Sequence, residues 1–228
     1  MCGRFALTSS PETLRKLFGY EERPNFPPRP NIAPTEPLPV VVKENGGRHF
    51  KLVRWGFLPA WVKDPGDFPL LINARGETVL EKAAFRASMR HRRCLVPADA
   101  FYEWRRDGKL RTPFRIRRAD GAPFAMAGLW ETYLSPEGSE IDTAAIVTTA
   151  SNGTVSAIHD RMPVIVAEKD WETWLDPFGD SAAAARLIRP AEEGLLVMEP
   201  VDPRLPRPDR PAKAEKPAKS APAQGELF

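Results

Sequence analysis

The segment "MCGRF" places one of the chain's two cysteines at position 2. Initiator methionine is ordinarily removed ahead of a small side chain. Its loss leaves Cys2 with a free amine and a thiol on adjacent carbons. An α-amine has an ordinary pKa of about 7.7–8.0, so a fraction is neutral near pH 7. A neutral amine condenses with an aldehyde to an imine, and a neighbouring thiol then closes onto the imine carbon as a five-membered thiazolidine. Cys2 is therefore a candidate covalent trap for an aldehyde. The competing reading is a small buried hydrophobe beside a turn glycine, the usual fate of an arbitrary cysteine.

Three further islands set polar groups in apolar surroundings. In "LINARGET", alternation along a strand puts Asn73 and Arg75 on one face. An amide there orients a reacting group and an arginine clamps a phosphate; a turn in which Asn73 bonds its own backbone is the alternative. In "DAFYEWRR", Glu103 sits among Phe101, Tyr102 and Trp104. Aromatic surroundings raise a carboxyl pKa and suit it to proton donation near neutrality; an exposed Glu paired with Arg105 or Arg106 is the alternative. Alternation gives Phe101, Glu103 and Arg105 one face, and Tyr102 and Trp104 the other. In "AIHDRMPVIV", His159 precedes Asp160, Arg161 and an apolar run, as at the end of a strand. Ser151 and His159 also admit a hydrolase reading, but no GxSxG elbow accompanies them.

The elements that must hold these groups read as follows. "SSPETLRKLF" starts a helix capped by Ser9 or Ser10, with Pro11 in its first turn and Leu14, Leu17 and Phe18 on one face. "ERPNFPPRPNIAPTEPLP" is too proline-dense for helix or inner strand and is expected to be an ordered loop. "VVVK" and "HFKLVRW" across "ENGG" form a hairpin. "ETVLEKAAFRASMRHRR" has helical spacing, and "RCLVPADAFYEW" is strand-like with a break at Pro97. "LRTPFRIRR", "PFAMAGLW", "IDTAAIVTT" and "MPVIV" are strands. "EKDWETWL" puts Trp171, Trp174 and Leu175 on one helical face, and "SAAAARLI" is a short helix capped by Ser181. Consecutive strands without βαβ alternation predict an α+β fold: a single domain around a curved, largely antiparallel, barrel-like sheet with peripheral helices. That domain is expected over 1–203. Residues 204–228, rich in Pro, Ala and Lys, read as a disordered tail.

Composition narrows the class. The chain has 228 residues, 42% of them hydrophobic and 28% charged, with a net charge of +3. No apolar run approaches the roughly 18 residues of a membrane helix, and no signal peptide is evident. Two cysteines make no disulfide framework, so a reducing cytoplasmic setting is expected. His49, His91 and His159 are scattered without metal-ligand spacing, so neither a metal nor a cofactor is expected. The charge is local: Arg86 to Arg118 holds eleven Arg and Lys against three acids. Such a stretch suits a phosphate backbone or, alternatively, a solvated hairpin.

In order, "MCGRF", "NIAPT", "WGFLPAW", "INARGET", "CLVPADAFYEW", "AGLW" and "IHDRMPVIV" resemble the SOS-response-associated peptidase family, also called the abasic-site processing or SRAP family, over roughly 2–203. The resemblance implies capture of the ring-opened aldehyde of an abasic site in single-stranded DNA, as a thiazolidine crosslink to the first residue, here Cys2. It implies that Asn73 orients the deoxyribose and the amine. Glu103 is then the acid–base that helps open the sugar, and His159 handles protons there and in reversal. Arg4 and Arg75 would hold phosphates, Trp61 and Trp104 would stack on bases, and Thr148 would be another phosphate contact. For Trp61 a core role fits equally well. Self-removal of Met1 and weak lyase activity accompany the resemblance. A cysteine peptidase acting in trans and a non-covalent single-strand binder are the other readings. The family's usual closing motif is missing from "MEPVDPRLPRP", which leaves the last core segment open. In "QGELF", Gln224, Leu227 and Phe228 match short sliding-clamp ligands carried on a flexible tether. A chance match is the alternative.

Overall fold

The computed structural model describes residues 2–135 and 137–202. The elements run β1 (Phe5–Leu7), α1 (Pro11–Phe18), β2 (Arg29–Ile32), β3 (Pro37–Glu44), β4 (Gly47–Trp55), β5 (Asn73–Arg75), α2 (Arg86–His91), β6 (Arg93–Ala98) and β7 (Ala100–Asp107). They continue as β8 (Leu110–Arg118), β9 (Phe124–Leu134), β10 (Glu140–Ala150), α3 (Gly153–Ser156), β11 (Arg161–Pro163), β12 (Ile165–Val166), α4 (Trp171–Leu175), α5 (Ser181–Ala185) and β13 (Leu196–Pro200).

Two sheets share the work. In one, β10–β4–β3–β6–β9 closes on itself because β9 also pairs with β10. Closure removes the edges that an open sheet must protect. Both of its faces are covered: Val40, Val42, Met126 and Ile146 on one, and Val41, Leu95 and Leu129 on the other, are fully or almost fully buried. The other sheet is open, in the order β13–β8–β7–β1–β2. The expected α+β architecture with a barrel-like, largely antiparallel sheet is present. β4 and β5, however, both run parallel to β10.

Local chemistry explains most boundaries. Ser10 Oγ accepts the Thr13 N–H at 3.1 Å, and Pro11 opens α1. Asn45 (φ 48°) and Gly46 (φ 81°) make the two-residue turn between β3 and β4, where left-handed backbone favours these residue types. Several expectations are corrected. The proline-dense stretch is not all loop: Pro30 lies in β2, an edge strand, while Pro37 and Pro39 lie in β3. β3 meets β6 only at Val41↔Leu95, so Pro39 and Pro97 sit where that edge has little ladder to lose. Pro97 therefore stays within β6, and the break falls at Asp99. The long helix expected before position 92 shrinks to a 3₁₀ turn, Gly76–Thr78, and α2. Asp180, not Ser181, caps α5. "MPVIV" splits, β11 pairing with β10 and β12 with β9. The last core segment is β13, paired with β8 from Leu196↔Arg118 to Pro200↔Phe114.

No helix among the described residues is long and apolar enough to cross a membrane. The expected tail, with Gln224, Leu227 and Phe228, lies outside the described residues.

Candidate active site

Four of the sequence-predicted residues converge on the seam between the two sheets. Cys2 enters from the N-terminal segment ahead of β1 and is wholly buried. Asn73 opens β5, and its Nδ2 donates to the Cys2 carbonyl at 3.0 Å. The Asn73 Oδ1 is buried with no hydrogen-bond partner among the described residues, an acceptor aimed into the site. Glu103 comes from β7 and is 4% exposed. Burial pushes its carboxyl up, while the positive charge around it pulls it partly back. Burial, reinforced by the Glu103 charge, pushes the Cys2 thiol above its ordinary range. The thiol points its proton at the Arg4 carbonyl, 3.8 Å away.

His159 stands between α3 and β11. The Arg161 N–H donates to His159 Nδ1 at 2.9 Å, so the neutral ring carries its proton on Nε2. Asp160 Oδ1 lies 3.0 Å from the same Nδ1 and becomes its partner when the ring is protonated. Beside His159 opens a cleft of about 680 Å³, walled by Trp104, Arg105 and Arg106 on one side and by Ser151, Ile158 and Asp160 on the other.

The remaining predicted residues divide. Arg4 is half-buried, with Nη1 donating to Asn31 Oδ1 at 3.2 Å. Arg75 is exposed at the end of β5, and Trp104 is half-buried on the cleft wall. Trp61 is not a core residue: it is 59% exposed, edge-on to Phe68 with ring centres 5.7 Å apart, and outside the cleft lining. Thr148 is fully buried, and its hydroxyl accepts from Arg161 Nη2 at 3.2 Å.

Two supports carried no role in the sequence reading. Arg161 pairs with Glu77 through both oxygens, at 2.5 and 2.9 Å, and also donates to the Thr148 carbonyl at 2.9 Å. This clasp ties the turn after Asn73 to the strand after His159. Asp99 takes the N–H groups of Thr8 and Ser9 and both of their hydroxyls. It thereby pins the end of β1 to the break between β6 and β7. Both lie inside motifs, "HDRMP" and "PADAF", but a clasp is a long-range pairing that spacing along the chain does not announce. No group of three or more His, Cys, Asp or Glu capable of holding a metal occurs among the described residues.

This chain is similar to a set of proteins with shared descriptions. The model of the family "SOS response associated peptidase (SRAP)" matches residues 1–208. Abasic site processing protein YoaM of Bacillus subtilis is 39% identical over 178 residues, covering 75% of this chain and 78% of the relative. Abasic site processing protein YedK of Escherichia coli is 34% identical over 180 residues, covering 75% and 79%. A phage-related protein from Bordetella bronchiseptica superposes with a TM-score of 0.72 at 29% identity, over 88% of this chain and 94% of that one. A protein from Bacteroides thetaiotaomicron shares the fold, with a TM-score of 0.82 at 24% identity over 89% and 93%. By the extent of the family match, the chain belongs to the SOS response associated peptidase (SRAP) family.

Proposed function

We propose that the protein captures abasic sites in single-stranded DNA as a covalent crosslink through Cys2 once Met1 has been removed. The observation that carries this reading is the bond from Asn73 Nδ2 to the Cys2 carbonyl. It holds the Cys2 backbone near the buried Glu103 carboxyl, which itself lies within the field of His159. Hydrolysis of the Met1–Cys2 amide frees the amine. Protonated Glu103 supports opening of the deoxyribose to its aldehyde. The amine adds to C1′, and water leaves to give the imine. The thiol adds across the C=N bond, sulfur to carbon and proton to nitrogen, and closes the thiazolidine. The net by-product of capture is one water. His159, with its proton on Nε2, serves the proton transfers and, run backwards, the release. An imine that escapes ring closure undergoes β-elimination, which accounts for a weak lyase activity.

A peptidase acting in trans finds less support. Such enzymes depend on a thiolate, which histidine pairing lowers into reach, whereas burial and Glu103 keep this thiol protonated. Self-removal of Met1 is compatible with the same groups. The setting that fits is cytoplasmic DNA under damage. Gln224, Leu227 and Phe228 are proposed to recruit the protein to the sliding clamp; deleting 224–228 is expected to abolish clamp pull-down, and unchanged binding discards that role.

The test is incubation of the purified chain with single-stranded DNA carrying one abasic site, read as a heat-stable shifted band. A band that disappears with Cys2→Ala is expected. No band from the intact protein sinks the proposal. A band that survives Cys2→Ala sinks the thiazolidine chemistry.

A further inference from the structure

The ribbon β7–β8 carries a charge arrangement that the reactive centre does not use. Its strands pair from Phe101↔Ile116 to Asp107↔Leu110, with Arg106 directly opposite Arg111. Gly108 (φ 61°) is the first of the two turn residues, a conformation that suits glycine. Residues opposite each other share a face, and faces alternate along a strand. Trp104, Arg106, Arg111 and Pro113 therefore lie on one face. Glu103, Arg105, Thr112 and Phe114 lie on the other.

The two faces treat their arginines differently. On the Glu103 face, Arg105 is committed: its Nε donates to Asp107 at 2.8 Å and its guanidinium lies over the Phe114 ring, 5.4 Å from the centre. On the Trp104 face, Arg106 and Arg111 are exposed, and neither forms an ion pair with any described residue. Like charges directly opposite each other in a ladder destabilise it. Such a pair is a liability in the free protein and an asset beside an anion. Trp104, next along the same face, packs against the small cluster of Ala6, Ala100 and Tyr102 while remaining half-exposed. Trp104 and Arg106 also line the cleft beside His159, together with Arg105 and Asp107 from the ribbon's other face. The face therefore runs from the cleft outward as an aromatic platform followed by two uncommitted guanidinium groups. That sequence of groups suits a base and the phosphodiesters beyond it.

We infer that Arg106 and Arg111 form a two-arginine phosphate clamp for the nucleic-acid strand where it leaves the reactive cleft. The inference rests on the DNA reading above but not on its covalent step. The clamp stands on the opposite face of the ribbon from Glu103, so it contributes to affinity and register without touching the reacting atoms.

The experiment measures non-covalent binding of an intact single-stranded oligonucleotide of about fifteen nucleotides, free of abasic sites, across a salt series. Each phosphate neutralised on a single strand contributes about 0.7 to the slope of log K against log salt. Arg106→Ser/Arg111→Ser is expected to reduce that slope by about 1.4 and to leave the melting temperature unchanged or higher, because the repulsion is relieved. Arg106→Lys/Arg111→Lys should keep most of the slope. An unchanged slope in the serine variant overturns the clamp. So does a loss of binding accompanied by a fall in melting temperature, which marks a structural role. Repeating the series with a complementary strand annealed to one side locates the phosphates. A slope difference that persists with the single strand alone places them on the bound strand, and one that appears only with the duplex overturns the single-strand clamp. Crosslinking to an abasic oligonucleotide is scored separately. A missing crosslink with an intact slope difference refutes the Cys2 chemistry and leaves the clamp standing, and the converse result does the opposite.

Discussion

The closed ring and the open sheet differ in what they bury. The ring packs aliphatic side chains and Trp55, whose Nε1 donates to the Ile72 carbonyl at 2.9 Å, and its two buried charges are matched: Arg93 donates to the Met89 and Trp174 carbonyls, and Glu131 pairs with Arg92. The open sheet buries Glu103 at 4% exposure and ends in a ribbon of exposed arginines. The candidate site takes two residues from each side of the seam. Asn73 sits on β5, which pairs with the ring strand β10, and His159 leads into β11, which does the same. Cys2 precedes β1, and Glu103 lies on β7, both of the open sheet. The ring thus acts as the fixed jaw. The open sheet accepts the cost of an ionisable buried group in order to present it. Substitutions on the two sides should therefore differ in kind as well as in size.

The largest effect belongs to the ring. Trp55→Ala removes a fully buried indole and is expected to cost about 3–5 kcal/mol, read as a fall in the urea midpoint without a change in slope. A loss below about 1 kcal/mol would mean that the ring is not the stabilising half. Next comes the pin on the open sheet. Asp99→Ala strands the N–H groups of Thr8 and Ser9 and should cost about 1–3 kcal/mol. It should also slow crosslinking more than it weakens DNA binding, because it frees the segment that carries Cys2. Equal losses in rate and affinity would show that β1 does not depend on the pin for placement.

The clasp tests whether the seam is held from the ring side. Glu77→Gln removes one partner of Arg161, and Glu77 is itself about half exposed, at 51%. The stability cost should be small, within about 1 kcal/mol. Crosslinking should still slow by several-fold, because Asn73 and His159 are tied through Arg161. A wild-type rate in this variant would leave the placement of Asn73 to its strand pairing alone.

These two sides were not equally legible in the sequence. The ring's strands announce themselves by β-branched runs, and the Asn45–Gly46 turn by its residue types. Cys2, Asn73, Glu103 and His159 stand out because a reactive or polar group in an apolar stretch is expensive to bury and so needs a reason. The clasp and the pin did not stand out, since Arg161 and Glu77, 84 positions apart, are ordinary charges until the fold brings them together. Pro97 misled for a related reason. Its effect depends on whether the neighbouring edge is paired, and only the topology decides that. Trp61 and Thr148 differ in a way that side-chain type does not announce: the indole is exposed and the hydroxyl enclosed.

The smallest effect has the opposite sign and bears most directly on the comparison. Burial raises the Glu103 carboxyl in the folded chain above its value in the unfolded one. Between those two values the folded state binds more protons, so stability falls as pH rises through that window and stays lower above it. Below the unfolded value of about 4.3, both states are protonated and the penalty vanishes. Glu103→Gln is therefore expected to match the wild-type protein at low pH. It should then become more stable, by about 1 kcal/mol or a few degrees in Tm, as pH rises through the window. The same variant should crosslink slowly while binding intact single strands normally. A more stable protein that no longer reacts would mean that the open sheet gives up stability to hold a proton donor. If the two melting curves coincide at every pH, the buried carboxyl carries no such cost, and the contrast between the sheets reduces to packing.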